Sequence, residues 1–263
     1  MKKLLKISKI LGILSIVLLM FIGCSKKIEM VRCNTPEETI ELFNKYNVEN
    51  NVKEMVRLYS NVYIDYIGYD VNQITKVIKT NRKDANIKSS TTKSMEDIDE
   101  NTKKAVVTIT SVIDDKESTE DYVYALIKED NGWSISPDGI KECINFDVPM
   151  NTKKELNLHL MKEAIQFDGS LIRVNVYNDT NNVYVFGTED EKTEIVVETT
   201  EGTFKSIVEE PQKIDKRVNS YFIAKIQDLK GDIKKVTVTC VFDVDKDGNT
   251  VLDTKRDITV YNK

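Results

Sequence analysis

The chain is poor in the residues that punctuate or stiffen unusual structures. It has 10 Gly and 4 Pro in 263 residues, which excludes a collagen-like chain, a Gly/Pro linker protein and a low-complexity tail. One His and four Cys leave little material for His-rich metal chemistry. There is no basic excess: 38 Lys and Arg stand against 43 Asp and Glu, for a net charge of −5. That argues against non-specific nucleic-acid binding by a basic face. HExxH, GxSxG, P-loop, CxxC and GxGxxG motifs are all missing, and nothing repeats internally. What remains, 40% hydrophobic and 31% charged residues, is a globular composition long enough for about two domains.

The N-terminus has three parts. Lys2, Lys3, Lys6 and Lys9 form a positive start without an acid, Ile10 to Ile22 is apolar, and Gly23-Cys24 closes the run. This is the pattern of a secretory signal, and the apolar run is short for a membrane-spanning helix, which needs ~20 residues. Phe21-Ile22-Gly23-Cys24 resembles the lipobox of bacterial lipoproteins, with Phe21 where Leu is usual. The resemblance implies a signal peptide over residues 1–23 and acylation of Cys24, palmitate included, as the first mature residue. It also implies an extracytoplasmic location, lipid-anchored to the bacterial cell membrane. Competing readings are an ordinary secretory signal and an uncleaved anchor. Removing residues 1–23 takes away four positive charges and no negative ones, moving the net charge from −5 to −9. Attachment would then rest on the lipid, since an anionic surface repels an acidic body. Residues 24–32 read as a tether. Cys33, Cys143 and Cys240 remain; an odd count at wide spacing is not a disulfide framework. A Cys33–Cys143 bridge and separate small buried residues are both open.

From Thr35 the signals are helical. Thr35-Pro36-Glu37-Glu38 combines an N-cap, Pro at the first helical position and a capping-box Glu. Ile40, Phe43 and Tyr46 continue at helical spacing. Val52, Met55, Val56 and Tyr59 give a second helix, and Val71, Ile74 and Ile78 a third that ends near Asn81. The period then changes to two. Ile87 to Met95, Ala105 to Ile113, Tyr122 to Lys128 and Trp133 to Ser136 read as strands, the last pair joined at Asp130-Asn131-Gly132. Helices followed by an antiparallel meander predict an α+β domain over 33–145. The order resembles the NTF2-like superfamily, a cone in which the sheet curls around a cup. Enzymatic members resembling ketosteroid isomerase use an acidic base with acidic or tyrosine donors in an apolar pocket. On that resemblance the cup residues would be Asp65 with Tyr59, Tyr63 and Tyr66, and Tyr46 nearby. The bland alternative makes them core and rim aromatics around a solvated loop acid.

Residues 146–151, with Pro149, read as a linker. Over 152–263 the helical period vanishes. Strands are expected at Leu156 to Leu160, from Leu171, and at Val183 to Phe186, Glu194 to Thr199 and Thr203 to Val208. More follow at Tyr221 to Ile226, Lys235 to Asp243 and Asp257 to Tyr261. About eight short strands predict an all-β sandwich. The pattern resembles immunoglobulin-like accessory domains of bacterial surface proteins, without a Cys…Trp…Cys signature. Asp243, Asp245 and Asp247 before Gly248 match the start of a calcium loop, but Thr254 stands where a bidentate Glu is needed. The competing reading is a hairpin turn with Val236, Val238, Cys240, Phe242 and Val244 facing inward. His159 is expected to be an ordinary side chain.

The expectation is a non-enzymatic, lipid-anchored binding or scaffolding protein of the cell envelope. It would need no cofactor and touch the membrane through Cys24. Its partner would be an unidentified envelope protein or small ligand. The alternatives are an enzyme or small-ligand binder using the cup, and a calcium-dependent adhesion or assembly module.

Overall fold

A computed structural model describes residues 29–146 and 155–263. The expected signal peptide, Cys24 and the start of the tether lie outside the described residues, as does nearly all of the expected linker.

Four short helices come first. Thr35 caps α1 (Pro36–Val48) by accepting from the Glu38 amide at 3.1 Å, and the Glu38 carboxylate accepts from the Asn34 amide. After α2 (Val52–Arg57), Ser60 caps α3 (Asn61–Ile67), which Gly68 stops at φ 72°. Asp70 and Gln73 form a reciprocal capping box at the start of α4 (Val71–Asn81). Three helices are legible in the sequence; α3 is the addition. Its seven residues carry no clear apolar stripe, so it places Asp65 on a helix and not in a loop.

An antiparallel sheet follows, with β1 (Ala85–Asp97), β2 (Thr102–Ile113), β3 (Lys116–Glu129) and β4 (Gly132–Ser136) in chain order. Asp114 and Asp115, both at positive φ, make the tight turn between β2 and β3. The helices cover one face. Ile40, Phe43, Met55, Val56 and Leu58 are buried against Ala105, Val107, Leu126 and Ile135. Each such large side chain, fully buried, stabilises by about 1.5–3 kcal/mol. β4 is short: Ser136 pairs with Ala125 and the chain turns away. The first part of β3 therefore has no strand on that side among the described residues.

The chain next makes a tight 3-10 turn at Pro137–Gly139 and enters β5 (Glu142–Asn145). These residues, read from sequence with the first unit, pair with β6 (Leu156–Ile165) of the second half. Beyond β7 (Gly169–Asn178) come β8 (Tyr184–Phe186), β9 (Thr193–Thr199), β10 (Thr203–Val208), β11 (Gln212–Ile214) and β12 (Asn219–Gln227). β13 (Ile233–Val244) and β14 (Thr250–Asn262) end the chain. One sheet has the order β12-β7-β6-β5. The other runs β10-β9-β13-β8-β11, with β14 also paired to β13. The two bury a common core. Leu158, Leu160, Ile172, Val174 and Val176 of one meet Phe186, Ile195, Val197, Val236, Val238 and Val241 of the other. The expected alternation along β13 breaks at a bulge. Cys240 sits at φ 54°, the register shifts between Val238 and Val241, and Val241 takes the inward place expected for Cys240. Among the described residues no helix is long and apolar enough to cross a membrane.

Candidate functional site

The expected cup residues separate. Tyr59 and Tyr63 meet edge to face at 5.2 Å inside the first-half core. Burial raises the Tyr59 phenol to about 12, against the pull of Arg82, and burial also raises Tyr63 well above its ordinary value. Tyr46 packs at the edge of the same core. Tyr66 is buried with Ile140 and Ala164 where the halves meet, and its hydroxyl has no partner among the described residues. Burial raises that phenol too.

Asp65 faces a different set of neighbours. Its carboxylate accepts from Asn145 Nδ2 at 2.9 Å and lies 3.1 Å from Lys162 Nζ, which also bonds the Asp65 carbonyl. Its side chain is 51% exposed. Burial acts to raise its carboxyl, but the bonds from Asn145 and Lys162 outweigh it and hold the carboxyl below its ordinary value. A base in an apolar pocket needs the opposite environment. Here the acid is an ionised tie between α3 and the strands β5 and β6.

The Asp243–Asp247 segment forms the turn from β13 to β14. Asp243 pairs with Arg256 at 2.9 Å. Asp245 Oδ1 accepts from the amides of Asp247 and Asn249 at 2.9 and 2.8 Å, closing the turn on itself. Among the described residues no three His, Cys, Asp or Glu side chains are grouped to hold a metal ion. Cys33, Cys143 and Cys240 are free thiols. Cys33 is in the first-half core, whereas Cys143 packs at the junction beside Asp65. His159 is buried with its ring edge-on to Tyr177, and burial lowers its basicity.

The concave feature near the chemistry lies elsewhere. Where β4 stops, the turn from β6 to β7 arrives from the second half and seats Phe167 against Gly139. A Cβ on Gly139 would stand 2.9 Å from the Phe167 ring, and the glycine is at φ 66°. Gln166 donates to the Asp138 carbonyl at 2.7 Å. Around this contact opens a cleft of about 310 Å³. Its walls include Lys104 of β2, Asp121 to Tyr124 of β3, Asp138, Gln166 to Asp168, and Lys225 of β12. It contains none of Tyr59, Tyr63, Asp65 or Tyr66.

Charge in the cleft is unevenly satisfied. Asp121 is held by Lys93 at 2.5 Å and Thr108 at 2.6 Å. Asp168 pairs with Lys225 at 2.7 Å. The Asp138 carboxylate meets no hydrogen-bond donor and no ion-pair partner among the described residues. Water reaches it, yet the surrounding walls crowd it; that desolvation raises its carboxyl, with Lys225 opposing at longer range. Asp138 adopts φ 58°, a conformation Asp tolerates better than most residues. Gln166 is 6% exposed and its Oε1 has no donor among the described residues. Lys104 and Lys141 place their ammonium groups 5.6 and 5.3 Å from the centre of the Phe167 ring. The sequence signals here are the turn words Pro137-Asp138-Gly139 and Asp168-Gly169; each marks a bend, and neither shows that the two bends meet. No protein-family model and no curated protein matches the chain.

Proposed function

We propose that the protein is a non-enzymatic, lipid-anchored extracytoplasmic protein that binds or scaffolds in the bacterial cell envelope. Its first half is read as an NTF2-like α+β unit and its second as an immunoglobulin-like β-sandwich. Helices on one face of an antiparallel sheet, and two sheets around a common core, support those readings. The observation that carries the non-enzymatic reading is the position of Asp65, which ties α3 to β5 and β6. An acid held ionised by two donors has lost the tuning that base catalysis requires.

The anchor reading gains a geometric consequence. From Glu29 onward the chain is docked: Arg57 Nε donates to the Glu29 carbonyl and the Val31 amide to the Arg57 carbonyl, both at 2.9 Å. Arg32 pairs with Glu129 at 2.6 Å. Five residue steps from Cys24 to Glu29 reach at most about 18 Å. A lipid on Cys24 would hold the body close to the bilayer.

The test is carried out on intact cells expressing the full chain. A membrane-impermeant lysine label, or added protease, reaches the protein, and a metabolically supplied alkyne fatty acid labels the wild type but not Cys24→Ser. Protection from both reagents, or equal fatty-acid labelling of Cys24→Ser, overturns the reading.

A further inference from the structure

The junction cleft holds charges of both signs that are unpaired among the described residues. The anion is Asp138. Each of its two acidic neighbours is already matched, Asp121 by Lys93 and Asp168 by Lys225. The cation is Lys104, which rests on the Phe167 face with no carboxylate at ion-pair distance among the described residues. A covered acceptor, Gln166 Oε1, adds an unmet demand for a donor in the same wall. Leaving a covered polar atom without a partner costs about 1–3 kcal/mol. Tyr124, Val123 and Phe167 of the same lining supply apolar surface. Junctions between packed units are common places for small-molecule sites, and ~300 Å³ is the lower end of their sizes.

We propose that this cleft binds a small zwitterion, an α-amino acid or a short peptide, with its ammonium on the Asp138 carboxylate and its carboxylate on Lys104 beside Phe167. Neither a simple amine nor a simple acid uses both unpaired groups. Gln166 acts as a positioning residue: its bond to the Asp138 carbonyl fixes the turn that presents the carboxylate. The proposal extends the binding reading and can fail separately from it, because titration of the purified protein does not depend on where the cell puts it.

The experiment is isothermal titration of the full chain in detergent. The probes are glycine, leucine, phenylalanine, arginine, glutamate and alanyl-alanine, with N-acetyl-leucine and leucinamide as one-charge controls. At least one zwitterion should bind. Blocking either of its charges, or introducing Asp138→Asn or Lys104→Gln, should weaken it roughly tenfold or more, as loss of a charge-assisted bond does. Asn suits the positive φ of position 138 as Asp does, so the melting temperature of Asp138→Asn should stay near wild type. Gln166→Ala should weaken binding less than Asp138→Asn while the selectivity against leucinamide persists. No heat from any zwitterion at millimolar concentration overturns the proposal. Equal binding of leucine and leucinamide, or affinity unmoved by Asp138→Asn in a protein that melts normally, also overturns it.

Discussion

Lys162 on β6 and Asp65 on α3 are 97 residues apart in sequence and form an ion pair at 3.1 Å. The pair joins the helical half to the strand-only half. Asp65→Ala should cost about 1 kcal/mol or less, because half-exposed pairs contribute little, with a nonzero coupling to Lys162→Ala in a double-mutant cycle followed by urea unfolding. The folded carboxyl lies below its ordinary value. Its contribution is thus complete above the unfolded carboxylate range and disappears as pH falls through the folded value. The stability gap between wild type and Asp65→Asn should narrow at acid pH.

Gly139 and Gly68 separate backbone strain from junction packing. Both have positive φ, 66° and 72°, but a Cβ at Gly68 meets nothing within 4 Å, whereas at Gly139 it strikes Phe167. Gly68→Ala should cost about 1 kcal/mol from the left-handed backbone alone. Gly139→Ala should cost more, by about 1–3 kcal/mol of overpacking. It should also speed hydrogen exchange in the turn from β6 to β7, a change Gly68→Ala should not produce.

Glu129 secures the segment nearest the expected anchor. It pairs with Arg32, the two side chains being only 14% and 8% exposed, and accepts from the Asn61 amide at 2.7 Å at the start of α3. Glu129→Ala takes the counter-ion from a covered guanidinium, which keeps only the Val31 carbonyl and Asn61 Oδ1, and leaves the Asn61 amide without its acceptor; it should cost about 3 kcal/mol. Amide exchange of residues 31–33 should accelerate before that of the sheet.

Glu163 points into the strand-only half near its end and is 7% exposed. Burial raises its carboxyl, the bond from Ser170 opposes, and Glu142 and Asp232 add to the rise. The folded state therefore holds a proton that the unfolded chain has already released. Stability falls as pH rises from the unfolded carboxylate value to the folded one, then levels off. Glu163→Gln, which keeps an acceptor for Ser170, should unfold at higher urea than wild type at neutral pH, with the advantage shrinking toward pH 4. A constant difference across that range would contradict the assignment.

The sequence showed what local chemistry sets. Thr35-Pro36 opens a helix because cap and ring both suit its first turn, and Ile172, Val174 and Val176 alternate because one face of β7 is buried. Cys240 shows the limit: alternation implies an inward side chain, and a bulge in a strand that pairs with β8, β9 and β14 turns it aside. The tyrosines around Asp65 allow both a pocket acid and a solvated one, and its partners Asn145 and Lys162, which decide, lie far along the chain. Nothing in the sequence around Asp138 marks it beyond a bend, since its setting depends on Gln166 and Phe167 arriving from another hairpin. Charges unpaired in space are invisible in a string where Lys104 follows Glu100 and Asp138 precedes Lys141 at helical-turn distance.

The central claim is the lipid at Cys24. The direct measurement is mass spectrometry of the N-terminal peptide of protein purified from membranes. The account predicts a peptide that begins at Cys24, carries a diacylglycerol thioether and lacks residues 1–23. A peptide beginning at Met1, or an unmodified Cys24 in the membrane-bound protein, would contradict it.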